Sequence, residues 1–388
     1  MPMGYLRFLI HHISCFLSSP LHTIFYIYGG TVRQIKHTNN EKPKPQYKSW
    51  GFFILNQYVL TGTTMLHKNI TIITFIAITL LIGILYKTRQ GNITNSILTI
   101  GILQTASHPA LDEARNGFVD TFKKELGEKI HFVIRNAEGS IIAAHTIAQQ
   151  FHNDQTINAI YAIATPALQA AYAVEKEKPI FIAAVSNPEA IIALHQQTNV
   201  CGTTDMIDIP GQIKTIKQLL PHITSVAIIY NPAEANSIAQ VNIMKKELYN
   251  HHITPFLVGI ISEAEITTAV TSALAKADAL LAPTDNVIAS AMPIISHLAR
   301  IAHKPLIASH NPAVKEGALM ARGVDYYTCG AETAKIALEV LLHHKKPHEF
   351  PIHPVKSDII VINQEIINEL AITIPKISDK IIFVTTQP

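Results

Sequence analysis

After residue 96 the chain alternates short, continuous apolar runs with longer segments that mix apolar and polar positions. Continuous apolar runs are typical of parallel strands covered on both faces, and the segments between them predict helices. The pattern forms two groups, over residues 97–185 and 210–308, and it restarts near Asp205. The sequence therefore predicts an α/β protein with two Rossmann-like parallel-sheet lobes.

The chain is expected to cross between these lobes several times. Residues 199–205 are a candidate crossover, and we expect the strand at 306–309 and the segment at 318–326 to return to the first lobe. We also expect one helix over residues 287–302. Several crossings would form a multi-strand hinge, on which two lobes can close around a ligand. The resulting bounds are residues 97–203 with 306–375 for the first lobe and 204–305 for the second.

Four of the predicted strands run into a small polar residue, then proline or a polar cap, then a helix. The junctions are Ser107-His108-Pro109, Thr165-Pro166, Ser186-Asn187-Pro188 and Asn231-Pro232. Proline is favoured in the first helical turn and Ser, Thr or Asn at the cap. Helix N-termini attract anions, and ligands of open α/β sheets lie at the carboxyl ends of the strands. The pattern therefore predicts binding of a small polar or anionic molecule.

The front of the chain contains an apolar run without charged residues, over residues 70–86. A run of this length predicts either an uncleaved membrane anchor or an atypical signal peptide, over residues 65–90. Met65 directly precedes the run, so we expect residues 1–64 to be an over-extended start or a leader, with a second membrane segment as the alternative. The protein is expected to be extracytoplasmic, either exported or anchored to the cytoplasmic membrane by residues 70–86.

The charge and the cysteine content argue against several classes of protein. The 388 residues carry a net charge of +3 and show no dense Lys/Arg face, so we expect no nucleic-acid partner. Cys15, Cys201 and Cys329 form no CxxC pair. Cys201 and Cys329 could pair in an oxidising compartment, but two buried free thiols are favoured. The 20 histidines lack metal-ligand spacing with carboxylate or Cys partners, so neither a metal nor a cofactor is expected.

Six motifs lie in order along residues 97–375. They are Ser107-His108-Pro109-Ala110-Leu111-Asp112, Asn136-Ala137-Glu138-Gly139, Ala164-Thr165-Pro166-Ala167-Leu168-Gln169-Ala170, Ala183-Ala184-Val185-Ser186-Asn187-Pro188, Tyr230-Asn231 with Glu234-Ala235-Asn236-Ser237, and Pro283-Thr284-Asp285-Asn286. With these motifs the chain resembles the substrate-binding proteins of ABC transporters, which have the type I periplasmic binding protein fold. It resembles in particular the branch of receptors for tryptophan and other aromatic amino acids.

The resemblance implies a periplasmic, monomeric receptor that binds a small molecule between its lobes and hands it to an ABC permease in the membrane. The implied ligand is an amino acid, aromatic and tryptophan-like. The chain contains no Gly-x-x-x-x-Gly-Lys-Ser/Thr phosphate loop, so it is not the transporter's ATPase. It departs from the family in lacking a Cys for lipid attachment and in carrying residues 1–64.

Three hydroxyl residues lie at predicted helix starts and could donate to the carboxylate of an amino acid: Ser107, Thr165 and Ser186. The alternative for each residue alone is helix capping, which stabilises by about 1 kcal/mol without any ligand. Because the three converge on one edge of the predicted sheet, we weigh binding and capping equally.

Three carboxylates could accept from the ammonium group. Asp285, next to Thr284 after a predicted strand, is the first candidate, followed by Asp205 and Glu234. For Glu234, complementing the helix dipole is an equal alternative, and this effect stabilises by about 0.3–1 kcal/mol. We expect Asp285→Ala to abolish binding while leaving the fold intact.

An aromatic side chain requires a stacking wall or an apolar slot. Gln104 and His108 at the end of the first strand and Tyr326 are the candidates, with plain packing as the alternative for the tyrosine. The resemblance implies that Asn236 and Ser237 form a polar pair in the second lobe that contacts either end of the ligand.

Two other functions remain open from the sequence. An enzyme could use the same fold, with Asp205, Glu234 and Asp285 in acid–base roles. The chain nevertheless has no Gly-x-Ser-x-Gly elbow and no Gly-x-Gly-x-x-Gly after the first strand, so we expect no catalytic activity. The other function is a membrane-tethered ligand sensor, which would require residues 70–86 to remain uncleaved.

Overall fold

The computed structural model describes residues 74, 77–81, 97–186, 199–356 and 359–386. The chain divides into two units, residues 1–87 and 88–388, and only the second contains a described sheet. Residues 74 and 77–81 are helical, while the rest of the predicted anchor and the predicted leader lie outside the described residues. Within the described part of the chain, no helix has the length and apolar character needed to cross a membrane.

Strands and helices alternate along the second unit, as the sequence pattern predicts. The strands are β1 (Leu98–Gln104), β2 (Ile130–Asn136), β3 (Ala159–Ile163), β4 (Ile180–Ala183), β5 (Val200–Thr204), β6 (Ser225–Tyr230), β7 (Thr254–Gly259), β8 (Ala279–Ala282), β9 (Leu306–Ala308), β10 (Met320–Ala321), β11 (His353–Pro354), β12 (Ile359–Asn363) and β13 (Lys380–Val384). The helices are α1 (Pro109–Leu126), α2 (Ile141–Asn153), α3 (Thr165–Val174), α4 (Ile209–Leu219), α5 (Ala235–Asn250), α6 (Ile266–Lys276), α7 (Asn286–Ser290), α8 (Met292–Ile301), α9 (Pro312–Lys315), α10 (Tyr326–Leu342) and α11 (Gln364–Glu369).

The strands form two sheets, which confirms the two-lobe α/β fold. The first sheet has the order β11-β5-β4-β3-β1-β2 and the second the order β13-β12-β10-β9-β8-β6-β7. All pairs are parallel except the antiparallel pair of β10 and β12. Each sheet is covered on both faces by buried apolar clusters. This covering explains why the strand sequences are continuously apolar rather than alternating.

The lobe bounds differ from those expected from the sequence. Strands β9 and β10 do not return to the first lobe, because β9 pairs with β8 through Leu280↔Leu306 and β10 pairs with β9. Consecutive strands joined by a helical connection usually lie side by side in the same sheet, and β8 and β9, joined through α7 and α8, follow that rule. The elements that do return to the first lobe are α10, which packs on β4 and β5, and β11, which pairs with β5.

The predicted single helix over residues 287–302 is two helices, α7 and α8. Ala291 lies between them with φ −99° and ψ 11°, and Pro293 occupies the first turn of α8. Proline has no N–H to donate to the preceding turn and its ring clashes there, so the helix restarts at this point. The break leaves α7 as a short helix directly after the carboxyl end of β8.

The chain crosses between the lobes after β5, between β10 and α10, and between β11 and β12. Arg322 lies at the second crossing and forms ion pairs of 3.1 Å with Asp208, near the first crossing, and of 2.5 Å with Asp379. These crossings confirm the expected multi-strand hinge.

A close helix pair fixes the position of the α1 N-terminus in the first lobe. A Cβ on Gly117 of α1 would lie 2.0 Å from the Tyr327 carbonyl oxygen, and one on Gly330 of α10 would lie 1.9 Å from the Ala114 carbonyl oxygen. Only glycine permits such an approach of two backbones. The Tyr161 hydroxyl also donates to the Ala114 carbonyl, at 3.1 Å. The start of α1 is therefore held rigidly at the end of the first sheet.

Candidate functional site

A cavity lies between the lobes, where the carboxyl ends of strands from both sheets meet. The space between the atoms is about 290 Å³, including the opening to solvent. It is lined by His108, Ala110, Leu111, Ala164, Ala184, Ser186, Asp205, Asn236, Thr284, Asp285, Asn286, Ala289, His310 and Tyr326. A cleft at this place is the usual ligand site of open α/β sheets.

The cavity brings together seven of the twelve candidates from the sequence: His108, Ser186, Asp205, Asn236, Thr284, Asp285 and Tyr326. The remaining five are placed elsewhere. Ser107 is exposed. The Gln104 amide bonds to the Ala106 carbonyl and to side chains of α1. Thr165, Glu234 and Ser237 are buried and do not belong to the lining, although Thr165 directly follows the lining residue Ala164.

The two lobes contact each other directly across the cavity. The hydroxyl groups of Ser186 in the first lobe and Thr284 in the second are 2.8 Å apart. His108 Nε2 lies 3.3 Å from Asn286 Oδ1, which again joins the first lobe to the second. The rings of His108 and His310 have their centroids 6.2 Å apart. The lobes are therefore in a closed arrangement.

Asp205 is the carboxylate with capacity to bind a further donor. It follows β5, and its side chain is buried. Its Oδ2 accepts from the Tyr326 hydroxyl at 2.8 Å, whereas its buried Oδ1 has no partner in the part of the chain that the structure describes. Burial raises the pKa of Asp205 to about 6, and the Tyr326 hydroxyl, the Ser186 hydroxyl and the Asp205 backbone N–H oppose that shift. A buried carboxylate oxygen of this kind is stabilised by a cationic donor.

Asp285 has a different role, although it also borders the cavity. Its Oδ1 accepts from the Ile288 N–H at 3.0 Å, which caps the N-terminus of α7. Its Oδ2 accepts from the Asn231 N–H at 2.6 Å and from the Ser237 hydroxyl. Burial raises its pKa and these bonds oppose the shift. Both oxygens therefore already bind donors of the second lobe.

Glu234 orients two asparagine side chains. Its Oε2 accepts from Asn286 Nδ2 at 2.6 Å and from Asn236 Nδ2 at 3.3 Å. Asn236 Nδ2 also donates to the Thr284 carbonyl at 2.7 Å, so Asn236 Oδ1 is turned away from these partners. That oxygen is buried and without a partner among the described residues. Burial and the nearby Asp285 charge raise the pKa of Glu234 to about 7.

Two buried imidazoles border the cavity, His108 from the first lobe and His310 from the second. The Nδ1 atom of each has no hydrogen-bond partner within the described ranges. Burial lowers the pKa of His108 to about 4, although Asn286 and Asp112 act in the opposite direction. Burial, together with the neighbouring His108, lowers the pKa of His310 to about 3. Both rings are therefore neutral at neutral pH.

The first lobe presents two helix N-termini whose own N-cap residues form no side-chain cap. In α3, the Thr105 hydroxyl instead accepts from the Ala167 N–H of the first turn at 3.1 Å. Helix α1 is preceded by His108 and α3 by Ala164, and neither residue caps its helix with a side chain. Thr165 Oγ1, in the first turn of α3, is buried and lacks a partner among the residues described. Helix N-termini carry partial positive charge and bind carboxylates.

Two alanines in the lining have positive φ, 76° at Ala164 and 56° at Ala184. They directly follow β3 and β4. Such backbone angles are unfavourable for residues with a Cβ and are concentrated at functional sites. The strain places the backbone of both alanines against the cavity.

Sequence reasoning missed seven lining residues as site candidates: Ala110, Leu111, Ala164, Ala184, Asn286, Ala289 and His310. For His310 a signal exists, because Ser309-His310-Asn311-Pro312 follows β9 and leads into α9, the same junction pattern as at the other strand ends. For Asn286 the signal is its position, because it directly follows the candidates Thr284 and Asp285 in the sequence. The positive φ of Ala164 and Ala184 has no signal in the sequence, because it follows from how the strands end in three dimensions.

Cys201 and Cys329 are buried free thiols, and burial raises the pKa of Cys201 to about 12. Cys15 lies outside the described residues. The described residues contain no group of three or more His, Cys, Asp or Glu side chains placed to hold a metal ion.

Comparison with known proteins identifies relatives of the chain. A family model described as ABC transporter substrate binding protein matches residues 99–383. A tyrosine-binding protein from Clostridioides difficile is 34% identical over 278 residues, which are 70% of this chain and 80% of that protein.

Two solved structures share the fold. An ABC domain in complex with L-Trp from Streptococcus pneumoniae is 30% identical, covers 72% of this chain and 97% of its own, and superposes with a TM-score of 0.68. A ligand-free, open substrate-binding protein with adhesive properties from Clostridium difficile is 32% identical, covers 75% of this chain and 100% of its own, and has a TM-score of 0.56. The TM-score against the open structure is lower than that against the L-Trp complex, which agrees with the direct contact between the lobes of this protein.

Proposed function

The chain belongs to the family of ABC transporter substrate-binding proteins, and we propose that it binds an aromatic amino acid in the cavity between its lobes. Proteins of this family bind a small molecule and interact with an ABC transporter. The two relatives of this chain that are named for an amino acid are substrate-binding proteins rather than enzymes. What we propose beyond family membership is that the ligand is an aromatic amino acid and that it lies in this cavity.

The observation that carries this proposal is the buried Asp205 Oδ1, which has no hydrogen-bond partner in the described structure. The lining contains two aspartates and no Lys or Arg among the described residues. An ammonium group supplies both the positive charge and the donors that such an oxygen requires. Asn236 Oδ1, which also has no described partner, can accept a second ammonium N–H.

The first lobe is suited to the other end of an amino acid. The N-termini of α1 and α3 lie at the ends of β1 and β3, where backbone N–H groups attract a carboxylate. Neither helix is capped by its own N-cap side chain, although the Ala167 N–H of α3 is bound by Thr105. The Thr165 hydroxyl provides a further donor. In our proposal the ligand carboxylate lies against the first lobe, and the ammonium group lies between Asp205 of the first lobe and Asn236 of the second.

The remaining lining fits an aromatic side chain. Ala110 and Leu111 of α1 and Ala289 of α7 provide apolar surface, and the His108 and His310 rings provide flat walls. The relatives support this choice, since one is named a tyrosine-binding protein and another was solved in complex with L-Trp.

The proposed role is delivery of the amino acid to an ABC permease by the closed form of the protein. Closure follows from the greater affinity of the ligand for the closed arrangement than for the open one. Location outside the cytoplasm, by export or by an anchor at residues 70–86, is part of the proposal. The tethered-sensor alternative depends on that same segment, which lies mostly outside the described residues.

The test is calorimetric titration and thermal unfolding of the full chain with each of the twenty amino acids, common sugars and nucleosides. A ligand at one hundred times its Kd should stabilise the folded protein by about 2.7 kcal/mol. We expect binding of tyrosine or tryptophan, and loss of that binding in Asp205→Asn. Binding of a sugar or a nucleoside, with no response to any amino acid, would contradict the proposal.

A further inference from the structure

We propose that His108 selects ligands whose side chain carries a hydrogen-bond donor, because a relay from Glu234 through Asn286 fixes His108 Nδ1 as an acceptor in the cavity. This inference rests on the proposed function, since it concerns the side-chain end of the same site. It predicts a preference for tyrosine and tryptophan, which carry an O–H or N–H on the ring, over phenylalanine, which carries neither.

The relay begins at the Glu234 carboxylate. It accepts from the Asn286 side-chain amide at 2.6 Å and from the Asn286 backbone N–H at 3.2 Å. Burial raises the pKa of Glu234 to about 7, so above that pH the group is ionised and only accepts, and the nitrogen of the Asn286 amide must then face Glu234. The oxygen of that amide then faces the opposite way, towards His108.

The second step fixes the tautomer of His108. Its Nε2 lies 3.3 Å from Asn286 Oδ1, which is an acceptor, so the ring proton is assigned to Nε2. Burial keeps the ring neutral, with a pKa of about 4. A neutral imidazole with its proton on Nε2 has a lone pair on Nδ1. Nδ1 is therefore an acceptor, buried and without a partner in the described part of the chain.

The third step places this acceptor beside the ligand side chain. His108 precedes Ala110 and Leu111, the apolar residues that α1 contributes to the lining, and Asn286 lies one turn before Ala289 on α7. The contact between His108 and Asn286 therefore joins the two apolar walls of the cavity. An apolar side chain that lies between these walls has His108 as a neighbour.

A ligand without a side-chain donor would leave Nδ1 unpaired in a closed cavity. An unsatisfied buried acceptor costs enough to weaken binding by roughly tenfold to a hundredfold. His108 belongs to the first lobe, whereas Asn286 and Glu234 belong to the second. The tautomer is therefore fixed only when the lobes close, so selection takes place at closure.

The binding test compares L-tyrosine, L-tryptophan and L-phenylalanine by titration calorimetry on the full chain. For the parent we expect phenylalanine to bind tenfold to a hundredfold more weakly than the tighter of the other two. In His108→Phe we expect the three affinities to lie within about threefold of each other. His297→Phe, a change at an exposed histidine of α8, is the matched control and should keep the parent's preference.

A second measurement observes the tautomer of His108 directly in the parent protein. Nitrogen NMR of the full chain with labelled histidine should show, with tyrosine bound, one histidine whose Nδ1 is unprotonated and accepts a hydrogen bond. His108→Phe assigns that resonance by its disappearance. A protonated His108 Nδ1, or equal affinity of the parent for all three amino acids, would overturn this inference alone. Failure of every amino acid to bind would instead overturn the proposed function, and this inference with it.

Discussion

The two edges of the cavity have the same sequence pattern but opposite chemistry. In the first lobe, the N-cap residues of α1 and α3 form no side-chain cap, and Asp205 Oδ1 and Thr165 Oγ1 have no described partner. In the second lobe, Asp285 caps α7 and both of its oxygens accept hydrogen bonds from the protein. The carboxylate of the first lobe leaves an oxygen for a ligand, whereas Asp285 of the second lobe holds its own loops, although Asn236 Oδ1 and His310 Nδ1 of that lobe also have no described partner.

This difference shows that a carboxylate in a cavity wall is not by itself a ligand group. A carboxylate whose oxygens bind two or three backbone or hydroxyl donors is already stabilised by the protein. One with a buried oxygen that has no partner is stabilised only when a ligand arrives. The second-lobe network of Asp285 with Asn231 and Ser237 makes a rigid surface against which the first lobe closes.

The largest effect is expected for Asp285→Ala. Removal of this carboxylate leaves the Asn231 N–H, the Ser237 hydroxyl and the Ile288 N–H without their buried acceptor. We expect the free energy of unfolding to fall by about 3–5 kcal/mol. Urea unfolding measures this loss. This expectation replaces the one from the sequence, that the fold would stay intact.

The matched control for this variant is Asp325→Ala. Asp325 caps α10 by accepting from the Thr328 N–H at 3.0 Å, but it is exposed, so we expect a loss of about 1 kcal/mol. If Asp285→Ala were as stable as the control and yet bound no amino acid, Asp285 would be a ligand group and the contrast between the edges would fail.

The next largest effect is expected for Asp205→Asn, which should weaken ligand binding rather than destabilise the fold. The asparagine keeps an oxygen that accepts from Tyr326 but loses the charge that attracts an ammonium group. We expect the affinity for the amino acid to fall by about a hundredfold or more, as measured by titration calorimetry. An affinity within about threefold of the parent's would remove Asp205 from the site.

The same variant should be at least as stable as the parent above pH 6. The folded-state pKa of Asp205, about 6, is raised above the ordinary value of 3.8, so its ionisation opposes folding. The parent should therefore lose stability as the pH rises through this range, by up to about 3 kcal/mol. Asp205→Asn should lack that loss. Urea unfolding at pH 4 and pH 8 compares the two proteins.

The location of the site could be predicted from the sequence. Which of its polar groups are free for a ligand, and which are bonded within the protein, could not. Continuous apolar runs predict buried parallel strands, and the polar residues after β1, β4, β5 and β8 therefore meet at one cleft. A run such as Leu306–Ala308 does not indicate which of two sheets it joins. Likewise, the sequence cannot tell which donors surround Asp205 and which surround Asp285, because these partners come from distant segments.

A smaller effect is expected from pH, through the histidines that face each other across the cleft. Closure buries His108 and His310 and lowers their pKa to about 4 and about 3, below the ordinary 6.5. Each must therefore lose its proton to close, so closure is fully favoured above pH 6.5 and weakens as the pH falls. We expect the affinity to fall by about fivefold for each histidine between pH 6.5 and 5.5.

Titration calorimetry over that pH range, on the parent and on His310→Gln, separates the two histidines. The variant retains one of the two titrating rings, so its affinity should depend less steeply on pH. An unchanged slope in the variant would show that His310 remains neutral in both the open and the closed protein.

The smallest effect concerns two threonines at the end of the first sheet. Thr165 Oγ1 has no described partner, whereas Thr105 Oγ1 donates to the Ile163 carbonyl at 2.9 Å and accepts from the Ala167 N–H at 3.1 Å. We expect Thr165→Val to weaken amino-acid binding by about fivefold and to keep or raise stability. Thr105→Val should instead lower stability by about 1–2 kcal/mol. If Thr165→Val lost stability and kept its affinity, the hydroxyl would be structural, and the first-lobe edge would resemble the second.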